Sequence, residues 1–303
     1  MNTQEHIAAL AFPFDPDYRV LKRIKPQQAY AAPAPDAAIK TALVVDTETT
    51  GLHDDAKVIE FGYAKFTFGP ATGQVFDLVD HGAWLEDPGE PLSDEVKCVT
   101  GLTDEIVAGG LFDEGAIAAL LAGADLVIAH NAAFDRPKVE KRFQDAPIRF
   151  WGCTSEQVDW KAEGIRSRSL EFIAYRMGFF YDAHRAEADC LALVHLLAQP
   201  LPVSGRLGLR ALLDNVTQPA TRLIAIDTPF AVKDALKQRG YRWSDGSNGS
   251  PRGWWTDTAT PEAEEEWLRQ TVGARFSLSA IKQTGWNRFS DRAFSVKLAG
   301  SGG

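Results

Sequence analysis

Thr41-Ala-Leu-Val-Val-Asp46-Thr-Glu48-Thr-Thr-Gly51-Leu52 runs from an unbroken apolar segment directly into two acids. The segment Ala42–Val45 suits a buried strand. Side chains alternate along a strand, so Asp46 and Glu48 project to the same face. Two carboxylates side by side repel unless a cation lies between them, which calls for a hard metal such as Mg²⁺ or Mn²⁺. Gly51 then allows a tight turn close to a substrate backbone. A bare Asp-x-Glu would read as a polar strand end; the whole run after an apolar strand reads as a metal site.

Working outward, two more strands are expected near Val58–Phe68 and Gln74–Leu85, parted by the turn signal Gly69-Pro-Ala-Thr-Gly73. Short helices follow at Ser93–Cys98, Thr103–Val107 and Asp113–Leu121, with Ser93, Thr103 and Asp113 as N-caps. Asp125–His130 is a second apolar strand, succeeded by a helix from about Pro137 to Phe143 and a short strand near Arg149–Gly152. Ser169–Met177 and Glu187–Ala198 have helical apolar faces. Strands first, then alternating β and α, imply an α/β mixed sheet covered by helices.

Two further motifs carry polar groups that could join the first pair. In Ala129-His-Asn-Ala-Ala-Phe-Asp135, the acid lies just beyond a strand and near a helix start, where Asn131 could brace the turn. Such an acid can also be a plain helix cap. In His184-Arg-Ala-Glu-Ala-Asp189, five helical residues would turn by about 500°, so the two side chains would diverge within one helix. His184 is therefore expected on the loop after Phe179-Phe-Tyr-Asp182, with Asp189 in the next helix, both facing one cleft.

With Asp46, Glu48, Asp135, His184 and Asp189 in this order, the chain resembles the DnaQ-like, or DEDDh, 3′→5′ exonucleases over roughly Ala42–Gln199. Cys98-Val-Thr-Gly-Leu-Thr103 departs from the His-Gly-Ile-Thr string common in the family, in a loop that shapes the substrate cleft of relatives. The resemblance implies a ribonuclease-H-like mixed five-stranded sheet flanked by helices. It further implies hydrolysis assisted by two Mg²⁺ ions, with Mn²⁺ able to substitute. Asp46, Glu48, Asp135 and Asp189 would hold the ions, and His184 would act as general base. Thr49, Gly51, Leu52, Asn131 and Phe134 are the candidate substrate contacts, although Phe134 also suits the core. The implied partner is a single-stranded nucleic-acid 3′ end, with DNA repair or proofreading as the setting. RNA trimming of the RNase T or oligoribonuclease kind is the alternative, and a binding subunit associated with a polymerase is a reading of another class. Many relatives are homodimers, so a homodimer and a DNA polymerase or repair partner are both candidates.

The remaining sequence sets the boundaries. Residues 1–40 form an Ala/Pro-rich arm with a short helix or strand at Tyr18–Ile24, 41–200 the exonuclease domain, and 201–220 a connector with one helix. Residues 221–290 form a small α+β domain: strand Arg222–Ile226, helix Pro229–Gly240, strand Tyr241–Trp243, strand Trp254–Asp257 and helix Pro261–Val272. Residues 291–303 are expected to be a flexible tail. The net charge of −9 opposes tight nucleic-acid binding by bulk electrostatics. However, Thr217–Gly303 carries 12 Lys+Arg against 9 Asp+Glu, leaving 20 against 32 in the 216 residues before it. In that basic part Trp243, Trp254 and Trp255 interleave with Lys233, Lys237, Arg242 and Arg252, a pattern for nucleic-acid docking or simply for a small aromatic core. No apolar run reaches the length of a spanning helix and no signal peptide is recognised, so no membrane role is expected. Cys98, Cys153 and Cys190 lack metal-type spacing, and so sparse a set points to the cytoplasm.

Overall fold

Ala42, Leu43, Val44 and Val45 are all completely buried, as an apolar run in the middle of a sheet must be. The computed structural model describes residues 19–53, 55–246, 251–273 and 276–291. Most of the N-terminal arm and the tail from residue 292 lie outside the described residues. In chain order the elements begin with β1 (Lys22–Arg23), β2 (Lys40–Thr49), β3 (Val58–Phe68) and β4 (Val75–Leu85). Helices α1 (Asp94–Thr100), α2 (Asp104–Val107) and α3 (Glu114–Ala122) lead to β5 (Leu126–Ala129), α4 (Ala132–Arg142), β6 (Trp151–Cys153) and α5 (Thr154–Gln157). Then come α6 (Leu170–Met177), β7 (Phe179–Phe180), α7 (Ala186–Leu197) and α8 (Gly208–Val216). The last part holds β8 (Ala220–Ile226), a 3₁₀ turn at Phe230–Val232, α9 (Lys233–Gln238), β9 (Arg242–Ser244), β10 (Gly253–Thr258), α10 (Pro261–Val272) and β11 (Ser277–Gln283).

The main sheet has five strands in the order β4-β3-β2-β5-β6. The two hairpin pairs β2–β3 and β3–β4 are antiparallel, whereas β2–β5 and β5–β6 are parallel. Alternation along β2 splits the interior. Ala42 and Val44 join Phe66, Ile128 and the apolar residues of α6, α7 and α8, while Leu43 and Val45 join Phe61, Val127 and those of α3 and α4. The α/β mixed sheet flanked by helices is thus present, with both faces covered. Truncating a buried side chain such as Phe61 would cost about 3–5 kcal/mol.

Two sequence expectations need correction. The helix expected from Pro137 begins at Ala132, with Pro137 inside it and Asn131 at the N-cap. Pro favours a first helical position, but here the Phe134 N–H bonds the Asn131 carbonyl at 2.7 Å and opens the helix earlier. Strand β11 was not foreseen, because Ser277-Leu-Ser-Ala-Ile-Lys-Gln283 has only two apolar residues larger than Ala. It completes a second, four-stranded antiparallel sheet, β11-β8-β10-β9. Smaller details also differ: Ser93 and Asp113 cap their helices through the side chain, but Thr103 does not.

The second sheet is fastened to the layer around the main sheet through Arg136, which is fully buried on α4. Its guanidinium donates to the carbonyls of Gly285, Trp286 and Arg288 at 2.9, 2.6 and 2.8 Å. It also pairs with Glu140 at 2.9 Å, whose other oxygen accepts from the Ser290 hydroxyl at 2.5 Å. No helix among the described residues is long and apolar enough to cross a membrane.

Candidate active site

The site forms at the carboxyl end of β2, beside the end of its parallel neighbour β5, where open α/β sheets offer a crevice. Asp46 and Glu48 continue the row begun by Ala42 and Val44, so they face α7, which carries Asp189 in its first turn. One oxygen from each of Asp46, Glu48 and Asp189 lies within 4.8 Å of the others. The approach of α7 depends on Gly62, the cross-strand partner of Asp46. A Cβ on Gly62 would lie 2.3 Å from the Ala186 carbonyl carbon, so only glycine fits there.

Asp135 reaches the same strand end from the opposite face. It is 3% exposed in the first turn of α4, and one carboxylate oxygen accepts from the Thr47 N–H (3.0 Å) and hydroxyl (2.8 Å). Thr47 points away from Asp46 and Glu48, which is why this fourth acid belongs to the other layer and wraps around the strand tip.

Burial and crowding together make the ionised acids unfavourable. Burial, then the Asp135, Asp189 and Glu48 carboxylates, push Asp46 well above the usual carboxylate range. Burial, then Asp189 and Glu60, raise Glu48 to about 8, against the opposing charge of Arg185. Burial raises Asp135 to about 7 although the Thr47 hydrogen bonds favour its anion. Burial also raises Asp189, countered by the Tyr181 hydroxyl, which donates to it at 2.8 Å. All four donors are oxygens, and ligands of one Mg²⁺-sized ion at about 2.0–2.1 Å would lie within about 4.2 Å of each other. The three-carboxylate cluster therefore fits a hard divalent cation with little movement.

Glu60, Arg185 and Tyr181 support the site and escaped the sequence reading. Glu60 is 1% exposed and stands opposite Glu48 in the β2–β3 register. It accepts from Arg185 (3.1 Å) and from the Ala186 N–H (3.2 Å), fixing the first turn of α7, where an anion is favoured by the helix dipole. Tyr181 orients Asp189 as described. The signal for Glu60 was a single acid inside the apolar strand Val58-Ile-Glu60-Phe61.

The other expected residues are less tightly gathered. His184 lies on the loop before α7, at φ +63°, with its side chain half exposed and Nε2 3.6 Å from Glu171. It is near enough for its charge to favour the Asp189 anion. The Thr49 hydroxyl donates to the Gly51 carbonyl at 2.6 Å, and Leu52 beyond it is 87% exposed. The Lys138 ammonium ties this loop to α4 by bonding the His53 carbonyl at 2.5 Å, and lies 5.8 Å from the centre of the half-buried Phe134 ring. Asn131 is exposed at the N-cap of α4 and makes no side-chain capping bond.

Comparison with known proteins places this geometry in context. The model of a family described as Exonuclease, of the RNase T type, matches residues 43–197. A DNA polymerase III PolC-type of Mycoplasma genitalium is 28% identical over 168 residues, covering 50% of this chain and 11% of that protein. The PolC-type protein of Halalkalibacterium halodurans is 32% identical over 105 residues, covering 34% and 7%. The chain thus spans about a tenth of the length of these curated relatives. Among solved structures, Exonuclease X in complex with 5′ overhanging duplex DNA is 23% identical, covering 57% of this chain and 98% of its own, with a TM-score of 0.42. E. coli Exonuclease I in complex with a dA16 oligonucleotide is 14% identical, covering 79% and 65%, with a TM-score of 0.47.

Proposed function

Since the chain belongs to the exonuclease family whose model spans residues 43–197, we propose that it is a metal-dependent 3′→5′ exonuclease releasing nucleoside 5′-monophosphates from single-stranded or frayed DNA. The observation that carries this reading is the convergence of Asp46, Glu48 and Asp189 within 4.8 Å, with Asp135 anchored to the intervening Thr47. In this reading the four acids hold two divalent ions, Mg²⁺ with Mn²⁺ as a substitute. When bound, such ions stabilise the charge on the attacking and leaving oxygens of an in-line displacement.

The protein's own groups do the rest. Water attacks the terminal phosphorus, a new P–O bond forms, and the bond from phosphorus to the 3′-oxygen of the penultimate nucleotide breaks. His184 accepts the proton lost by the water, and the departing 3′-oxygen gains one from solvent. Glu171, 3.6 Å from Nε2, holds the imidazole beside the site. Leu52 offers the exposed apolar surface against which a terminal base can rest, with Gly51, Thr49, Asn131 and Phe134 completing the mouth. Such contacts favour an unpaired end without base-edge readout. The similarity to PolC-type polymerases supports a role in proofreading or repair beside a polymerase.

The test is digestion of 5′-labelled single-stranded DNA and RNA of one sequence with Mg²⁺, by wild type and Asp189→Asn. A ladder shortening from the 3′ end, lost in the variant, is expected, with DNA preferred. An unchanged ladder in the variant, or none from either strand with Mg²⁺ or Mn²⁺, would overturn the proposal.

A further inference from the structure

The second sheet has one face packed on its own helices and the other turned toward the layer around the main sheet. Cross-strand register separates the two. Trp254 pairs with Trp243 and packs with Leu236 and Leu268 from α9 and α10. Trp255 pairs with Arg242 and with Ile224, so this row lies on the opposite face. That face, together with α4, α5 and the loop before α6, encloses two adjoining cavities of about 590 and 1050 Å³. Glu156, Arg168, Asp257 and Phe289 line both, so the two form one groove along the boundary. One end of the groove reaches Ala133 and Pro137 on α4, the helix that carries Asp135.

The lining chemistry is that of a strand-binding track. The Arg222 guanidinium lies 4.0 Å over the Trp255 ring, and that of Arg242 lies 5.4 Å from the same ring's centre. Arg242 on the sheet and Arg168 on the loop before α6 both reach the Glu156 carboxylate, at 3.0 and 3.4 Å. One acid thus occupies the place between two arginines from opposite walls. Around the groove six basic side chains face five acidic ones, while the whole chain carries −9. A phosphate is therefore not repelled there as it would be over the general surface, and aromatic rings supply the stacking that such weak electrostatics lacks.

We propose that this groove binds the single-stranded polynucleotide upstream of the 3′ end, with backbone phosphates displacing Glu156 from Arg168 and Arg242 and bases packing against Trp255. The inference rests on the exonuclease reading for the direction of the strand, but not for the existence of the site.

Fluorescence anisotropy of a labelled 16-nucleotide single strand, as DNA and as RNA, with Ca²⁺ in place of Mg²⁺, tests binding apart from turnover. Arg242→Glu and Trp255→Ala should each weaken the affinity about tenfold or more. Glu156→Gln should tighten it severalfold, because the competing acid is gone; a purely structural Arg242–Glu156 pair would give no gain. In Mg²⁺, the loss of kcat/KM in Arg242→Glu should be about tenfold greater for the 16-mer than for a trinucleotide, which is too short to enter the groove. Wild-type affinity in all three variants would overturn the groove. Strand binding sensitive to these variants, in a wild type that digests nothing, would uphold the groove and remove the exonuclease reading instead.

Discussion

Gly62 and Ala186 touch: a Cβ on the glycine of β3 would lie 2.3 Å from the carbonyl carbon that opens α7. Because Gly62 is the cross-strand partner of Asp46 and Ala186 precedes Asp189 by less than one turn, this contact sets how near the two acids come. Gly62→Ala must push α7 outward. The expected result is a fall in Mg²⁺-dependent activity of about 10²-fold, as misplacement of a catalytic group by about 1 Å can produce. Stability should fall by about 1–3 kcal/mol from overpacking. A Mg²⁺ titration of kcat alongside urea unfolding checks both; full activity would show that the helix position is not critical.

The carboxylate crowd gives the metal-free protein an unusual pH dependence. Glu48 keeps its proton up to about 8 in the folded state, above the ordinary value of 4.5. The folded state then binds more protons than the unfolded chain between those values, so its contribution to stability is present below about 4.5 and is lost as pH rises through 8. Glu48→Gln removes that cost. In EDTA at pH 8 the variant should be more stable than wild type by about 1–3 kcal/mol, and the gain should shrink at pH 5. It should nevertheless be almost inactive. Equal melting temperatures at both pH values would refute the crowding account.

The same competition predicts that divalent metal stabilises more at high pH. Ions and protons contend for Asp46, Glu48, Asp135 and Asp189, since ligands must be deprotonated to bind. The rise in melting temperature on adding Mg²⁺ should therefore be larger at pH 8 than at pH 6, and Asp189→Asn should blunt it. Differential scanning fluorimetry reads both quantities, and a Mg²⁺ effect independent of pH would count against a four-acid site.

His130 acts in the opposite direction. Its Nε2 bonds the Arg168 carbonyl at 2.6 Å and so carries the hydrogen, leaving Nδ1 to accept from the Thr154 hydroxyl at 2.8 Å. Burial lowers its pKa to about 4, below the ordinary 6.5. The unfolded chain binds the extra proton between those values, so stability present above 6.5 is lost as pH falls toward 4. Relative to wild type, His130→Gln should flatten this acid-side loss by about 1–3 kcal/mol. Parallel pH profiles for the two proteins would exclude this role.

Arg136 ties the second sheet to the helix of Asp135. Arg136→Met would leave the Gly285, Trp286 and Arg288 carbonyls without this donor and take the buried cation away from the Glu140 carboxylate, which is 9% exposed. Breaking a buried pair from one side costs about 3–5 kcal/mol. Hydrogen exchange should quicken over residues 284–290 and through β11, and exchange unchanged there would show the fastening lies elsewhere.

Much of this site could be read directly from the chain. Period-two alternation alone placed Asp46 and Glu48 on one face, and both do face α7 beside Asp189. The helical advance of about 100° per residue separated His184 from the helix of Asp189, and His184 does lie on the preceding loop. Such rules are local, so the sequence by itself determined the strand, the acids and the mixed sheet that joins them. Glu60 gave only the faint signal of an acid in an apolar strand, because its worth arises from a register partner twelve residues earlier and from Arg185 far along the chain. Strand β11 was invisible because small and polar residues become a strand only when β8 offers a hydrogen-bonding edge. Only the tertiary structure decided the closeness of α7, the anchoring of Asp135 on Thr47 and the groove beneath Trp255. Each depends on how separate layers pack, and packing is a property of surfaces brought together, not of neighbours along the chain.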